Sequence, residues 1–548
     1  MALTVIEHVL TRLQQIGISD VFGVPGDFAF PVNDAVFQQP GMRWIGCTNE
    51  LNAAYAADGY ARIKGVAALC TTYGVGELSA LAGIAGAYAE HLPIFHLVGM
   101  PRMAVQRARA LVHHTLGNGE YELFRRMSEP VVCGHAVMTP QNVAYETERL
   151  IAEALYHRRP VYMAFPADLA GQPVVSAAAP LPPPRSDPDS LKAATAAIVA
   201  ALGEASTACV LPGLLVSRIG ASATLQAVID ASGLPFATMF HDKTLLDEQQ
   251  EAYVGMYDGA LMNEEVRAFV ESRDRLVTVG TLMTDFNTGS FTSNLDKDST
   301  IAIDHHSVTV DGHTFPSVEI GDILAALAEA LPKRDWERIP AGSLGPVTGE
   351  GDQPITAEAL YPRWAEFIEP GDIVVAETGT ASMGLGFARM PSGANFYNQT
   401  LWGAIGWATP AAVGTAVAAP ERRTVLITGE GSHQVTAQEL GQFGMLGLKP
   451  VVFVLNNDGY LIERLLCKDP EIGYNDIAPW RYAELPRALG CEGWTTARVT
   501  TCGELDDALE AARKANGGVY IEVVTGRYEA SPLSLKLSER MKKAAAGG

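Results

Sequence analysis

Near the carboxyl end of the chain, two apolar runs stop in different ways. Arg423–Ile427 passes into Gly-Glu-Gly in "TVLITGEG", and Pro450–Leu455 passes into Asn-Asn-Asp-Gly in "VVFVLNNDG". Short β-branched and aliphatic runs that are apolar at every position and break at a turn residue read as strands buried on both faces. Such strands belong to parallel sheets, and parallel neighbours need a crossover between them, usually a helix. That requirement constrains the fold more tightly than any compositional figure.

The same pattern recurs in three blocks. The first holds "DVFGV", "PIFHLVG" and "PVYMAF"; the second "ACVLPG", "RLVTVG" and "TIAIDHH"; the third "DIVVAETG", the two runs above and "VYIEVVT". Amphipathic stretches separate them, which predicts α/β architecture: three doubly wound domains with parallel sheets covered by helices. Two linkers divide the blocks, a proline-rich "SAAAPLPPPRSDPDS" (Ser176–Ser190) and "PAGSLGPVTGEGDQP" (Pro340–Pro354), which has no apolar period. The expected domains are therefore 1–178, 190–340 and 354–548. In such sheets ligands sit beyond the carboxyl ends of the strands, where the Gly-Glu-Gly and Asn-Asn turns lie.

Composition narrows the function. A formal charge of −22 with no basic stripe argues against nucleic acid or an anionic membrane surface as partner. No apolar run approaches the ~20 residues that span a bilayer. Seven scattered cysteines, none spaced Cys-x-x-Cys, suggest neither a zinc site nor a disulfide framework, and a reduced cytoplasm is expected. "MALTVIEHVLTRLQQIG" has Val5, Val9, Leu13 and Ile16 at helical spacing and reads as an amphipathic first helix, not a leader peptide.

Glu430 and Asn457 are hard oxygen ligands, and Gly459 offers a backbone carbonyl. A carboxylate, an amide oxygen and a carbonyl, completed by phosphate and water, suit octahedral Mg²⁺. Gly429 and Gly431 allow close approach of a phosphate, and "SHQVTAQELGQF" begins like a helix, whose first amides favour anions. Each turn alone reads equally well as an ordinary strand-end connection. Together they are more informative, because Asn457 follows Glu430 by 27 positions, one strand–helix–strand unit.

Here the sequence resembles the thiamin-diphosphate-dependent enzymes, whose signature is Gly-Asp-Gly followed after this interval by Asn-Asn. The departure is Glu430 for Asp, which carries the carboxylate outward by about 1.5 Å. The resemblance implies thiamin diphosphate and Mg²⁺ as cofactors, with the metal on Glu430, Asn457 and Gly459. It implies an aminopyrimidine-binding N-terminal domain, a non-catalytic middle domain and a diphosphate-binding C-terminal domain. "NELNAAYAADGYAR" matches the family's glutamate segment and assigns Glu50 to the aminopyrimidine ring. Cofactor contacts are further implied for Thr378, Gly403, Ile405, Gly429, Gly431, Ser432 and Tyr460. Ile405, in "LWGAIGWATP", matches the residue that props the cofactor bent, although simple core packing fits it as well.

Within the family, "ALVHHTLGNGEY" (His113, His114), "GVPGDF" (Asp27) and "NNDGYLIE" (Glu463) look like the 2-oxo-acid decarboxylase branch. The indolepyruvate, phenylpyruvate and branched-chain decarboxylases are the nearest in appearance. Two carboxylates and two imidazoles suit the protonation of an enamine and release of product. Pyruvate-specific relatives carry Trp at the position of Ser382 and Asp at Thr380, so a pocket lined by Thr380, Ser382, Met383 and Ile462 is expected to admit aromatic or branched substrates. The implied reaction is decarboxylation of a small-molecule 2-oxo acid to the aldehyde through a thiamin ylide and enamine. The family also implies a homodimer or homotetramer with active sites at the dimer interface. Alternative readings are an acetolactate synthase-like carboligase, a pyruvate decarboxylase, and a silent binding homologue. "YGVGELSALAG" lacks the glycine spacing of a dinucleotide fold.

Overall fold

The structure is a computed structural model that describes residues 3–547. It contains three sheets, each built as the apolar runs require. The first is parallel throughout, in the spatial order Arg43–Gly46, Asp20–Gly23, Ala67–Thr71, Ile94–Met100, Val161–Pro166, Gly134–Val137. Its four central strands are buried at every position, which is why they read as continuous apolar runs and not as alternating ones. The first helix, Val5–Gln15, starts at a Thr4–Glu7 capping box and buries Val5, Ile6, Val9, Leu10 and Leu13.

The second sheet has seven strands and departs from the all-parallel expectation. Tyr253–Met256, Phe236–Thr238, Ala208–Pro212, Arg275–Val279 and Thr300–Ile303 are parallel, but Ser307–Val310 and His313–Pro316 add an antiparallel edge. The cause is local. Asp311 and Gly312 both take positive φ (50° and 75°), the geometry of a two-residue hairpin turn matched to strand twist. The third sheet is again parallel: Asn395–Tyr397, Ile373–Ala376, Thr424–Gly429, Val451–Asn456, Val519–Val524, Thr495–Val499.

Two compact units result. One comprises the chain to residue 183 with 409–421 and 436–448; the other comprises 184–408, 422–435 and 449 onward, and so holds both the second and third sheets. The stretch 340–354 carries no helix or strand although both neighbouring sheets share one unit. All seven cysteines are free. Among the described residues, no helix is long and apolar enough to cross a membrane.

Candidate active site

In the third sheet Thr424–Gly429 and Val451–Asn456 are parallel neighbours, with Gly429 beside Leu455. Their turns therefore leave the same edge together. Glu430 opens the helix Glu430–Thr436 and is almost fully buried. Its Oε1 accepts from the backbone N–H of Asn457 (3.0 Å) and of Gly459 (2.9 Å). The longer side chain thus laces one turn to the other. Burial pushes its carboxyl up to about 7, with the Gly459 and Asn457 amides pulling the other way. Gly459 has φ +135°, and a Cβ there would lie 2.4 Å from the Asn475 carbonyl oxygen, so only glycine fits.

The Asn457 amide oxygen stands 2.9 Å from the Gly459 carbonyl oxygen and 3.3 Å from Glu430 Oε1. The amide can present either group here: its nitrogen would donate to both, while its oxygen would leave three oxygens converging with no proton between them. Ligand oxygens at ~2.1 Å from an octahedral ion lie about 3.0 Å apart along each edge. The spacing fits a small hard cation.

Above these turns opens a cavity of ≈ 790 Å³ within the second unit. Its lining includes Thr378, Gly403, Ile405, Gly429, Glu430, Gly431, Ser432, Asn457, Gly459, Tyr460 and Glu463, together with Thr380, Met383 and Ile462. Thr378 is fixed by its hydroxyl donating to the Gln399 carbonyl (2.9 Å). Ile405 is 42% exposed, so it is not a core residue. The lining contains four carboxylates (Asp258, Asp285, Glu430, Glu463) and no Lys, Arg or His.

The first unit carries a second constellation. Asp27 opens a short turn after its strand, and its Oδ2 lies 2.7 Å from His113 Nε2. Phe28 stacks on the His113 ring at 4.7 Å and meets the His114 ring edge-on. One ligating atom from each of Asp27, His113 and His114 falls within 4.8 Å of the others. His114 has φ 60°, and its carbonyl oxygen lies 2.0 Å from where a Cβ on Gly74 would be. Gly74 (φ +66°) is what lets that backbone come so close. Glu50 opens the helix Glu50–Lys64, and its Oε1 lies 3.1 Å from a Cβ built on Gly76. The turn around Gly74 and Gly76 thus gathers Glu50 and His114 on one side of the unit.

Family models match at residues 3–119 (thiamine pyrophosphate enzyme, N-terminal TPP binding domain), 195–331 (central domain) and 377–523 (C-terminal TPP binding domain). An alpha-keto-acid decarboxylase of Mycobacterium ulcerans is 41% identical over 100% of this chain and 97% of its own length. One from Mycobacterium tuberculosis is also 41% identical, over 96% and 95%. The chain belongs to the thiamin-diphosphate-dependent 2-oxo-acid decarboxylase family. A Rhodococcus jostii thiamine diphosphate-dependent 4-hydroxybenzoylformate decarboxylase shares the fold, with a TM-score of 0.77 at 18% identity, over 96% of this chain and 100% of its own.

The decarboxylase departs from the sequence reading in three places. Ser382 does not reach the cavity. It is fully buried on the helix Thr380–Leu385, and its hydroxyl donates to the Gly379 carbonyl. Gly379, Thr380, Ala381 and Met383 line the cavity, and Ser382 does not.

The middle segment, expected to be non-catalytic, contributes Phe240, Asp258, Leu261, Asp285, Phe286 and Phe291 to the lining. The C-terminal helix Pro532–Gly547 adds Leu533, Leu537 and Met541 at four-residue spacing, a stripe readable in the sequence.

Sequence reasoning also passed over Glu377. This buried carboxyl accepts from the Thr378 and Ala408 amides and the Thr428 hydroxyl, tying three site segments together. Burial pushes it up to about 8. Its place at the end of "IVVAE" was the available signal, since strand ends are where ligands meet such sheets.

Proposed function

We propose that the decarboxylase acts on aromatic or branched-chain 2-oxo acids such as phenylpyruvate and indolepyruvate, giving the aldehyde and CO2. The observation that carries this is the apolar wall of the cavity. Phe240, Phe286, Met383, Ile462, Leu533 and Leu537 give it an apolar wall that suits a large apolar side chain better than the methyl group of pyruvate. That wall comes from these six side chains, not from Ser382.

Mg²⁺ would be held by Glu430, Asn457 and the Gly459 carbonyl. Two observations support it: the three converging oxygens, and a lining with no basic side chain to balance a diphosphate. A divalent ion supplies that balance, and Gly429, Gly431, Ser432 and Tyr460 leave the diphosphate its place. Thr378, Gly403 and Ile405 would receive the rest of thiamin diphosphate. Bound there, the cofactor supplies an electron sink for the carbon–carbon bond that breaks.

The chain's own residues manage protons. Glu50 would hold a proton against the aminopyrimidine ring. Glu463 at the cavity and the Asp27–His113–His114 cluster would deliver and remove protons at the substrate carbon and oxygen. Asp27 fixes His113 through their 2.7 Å contact, and Phe28 holds the plane of that ring. Glu50, Asp27 and the histidines stand on the first unit and the cofactor turns on the second. The family's homodimer, or a homotetramer of two such dimers, brings such sets together between subunits.

The test begins by stripping the purified protein of cofactor. Aldehyde is then measured from indolepyruvate, phenylpyruvate, a branched-chain 2-oxo acid and pyruvate, with and without thiamin diphosphate and Mg²⁺. The expected result is aldehyde only with both cofactors, and faster from the three large substrates. Faster turnover of pyruvate would overturn the substrate assignment, and activity without metal would overturn the metal site.

A further inference from the structure

In the first unit one short turn, Thr72–Gly76, leaves the strand Ala67–Thr71 and enters the helix Val75–Ala89. Every member of the constellation there bears on it. A Cβ built on Gly26, the neighbour of Asp27, would lie 2.4 Å from the Thr72 Cβ. The Tyr73 ring meets Phe28 edge-on at 6.4 Å, and Phe28 stacks on His113. Gly74 abuts the His114 carbonyl, and Gly76 abuts the Glu50 carboxylate. Contacts this close leave no slack, so a shift of the turn is passed to all four segments.

The side chain that holds the turn is Glu77, which has no part in the chemistry above. The Gly74 N–H donates to its Oε1 at 2.8 Å, and the Tyr162 hydroxyl donates to its Oε2 at 2.9 Å. Glu77 and Tyr162 are both fully buried, and Tyr162 stands on the central strand Val161–Pro166. Both donors are neutral, and a buried carboxyl so held costs desolvation that an apolar residue would not. What it secures is the place of the Gly74 amide, tied through the carboxyl to the middle of the sheet.

We propose that Glu77 is a positioning residue of the decarboxylase: by bridging the Gly74 amide and Tyr162 it fixes the turn against which Asp27, His113, His114 and Glu50 are set. The inference rests on the proton-handling roles given to those four residues and adds the element that aligns them. Reacting groups tolerate little displacement, and a shift of about 1 Å can cost about a hundredfold in rate.

The test is steady-state kinetics of protein loaded with thiamin diphosphate and Mg²⁺, on the 2-oxo acid it turns over fastest. Glu77→Ala removes both hydrogen bonds and should lower kcat by about tenfold to a hundredfold. KM and the half-saturating concentration of thiamin diphosphate should stay within about threefold, because the cofactor turns and the apolar wall stand on the second unit. Glu77→Gln should bring kcat back to within about threefold of the unaltered enzyme, since its amide oxygen accepts from Gly74 and its NH2 donates to the Tyr162 oxygen. A carboxyl that only stabilised the fold would lower Tm in Glu77→Ala and leave kcat per folded site unchanged, and that result overturns the proposal. Tyr162→Phe keeps the ring and removes one of the two bonds, so kcat should fall by about threefold to tenfold. It decides the matter if Glu77→Ala does not fold, and an unchanged kcat there overturns the proposal. Glu50→Gln, run in parallel, separates the two levels. Normal turnover in that variant overturns the proposal together with the roles beneath it, whereas loss there beside full turnover in Glu77→Ala overturns the positioning role alone.

Discussion

The two constellations of this protein differ in how they treat charge. In the first unit, Asp27 and His113 are exposed and bonded to each other, and His114 and Glu50 are half-buried. In the second unit, Glu430, Glu377 and Asp258 are buried to 2% exposure or less, and their carboxyls are pushed up to about 7, about 8 and about 7 by desolvation. An exposed set can exchange protons freely but cannot exclude water, and a buried set does the reverse.

The largest expected effect strikes the exposed set. Glu50→Gln should lower kcat by about 10²–10⁴-fold with an unchanged circular dichroism spectrum. Near-normal turnover would erase the distinction between the two sets. Next comes the coupling of Asp27 and His113. Asp27→Asn and His113→Gln should each cost about 10²-fold, and the double variant little more, because bonded partners act as a unit. Full additivity in steady-state kinetics would mean that the 2.7 Å contact carries nothing.

In the buried set, Glu430→Gln removes the charged ligand. The Mg²⁺ concentration for half-activation should rise at least about tenfold, read by titration into stripped protein. An unchanged titration would place the metal elsewhere.

Smaller, and specific to burial, is the dependence of stability on pH. Glu377 is pushed from 4.5 to about 8, and Glu77, buried beneath the Gly74 turn, from 4.5 to about 7. Between those limits the folded chain holds protons that the unfolded chain has released, so stability falls as pH rises from about 4.5 to 8. Calorimetry of the stripped protein should give a lower Tm at pH 8 than at pH 6, and Glu377→Gln should flatten that slope. The smallest effect is at Ser382. Because its side chain lies away from the cavity, Ser382→Ala should leave the ranking of substrates unchanged within about twofold. A reordered ranking would return Ser382 to the pocket.

Much of this was legible in the sequence because the features involved are local. Parallel strands betray themselves as unbroken apolar runs, and all the runs named from the sequence form strands of the three sheets. The Gly-Glu-Gly and Asn-Asn turns follow directly from strand ends, so a spacing of one crossover unit was enough to expect them side by side. Ser382 was misplaced because a match to relatives gives a position in a helix, not which face of the helix meets a cavity. The Asp311–Gly312 hairpin was written in the sequence as a two-residue turn, yet a parallel expectation hid it.

What the sequence determined by itself, then, is what adjacent residues decide: strands, crossovers, caps, the two turns and the donor types they carry. Tertiary structure alone decided which distant segments share a wall. Phe240, Asp258 and Leu537 lie in three different stretches of chain, and nothing in their local patterns says that they line one cavity with Glu463. It also decided which carboxyls lose water, since burial depends on what packs against a residue from elsewhere in the chain. Glu377 and Asp258 are ordinary acids in the sequence. The folded chain removes their solvent, and with it fixes what each can hold.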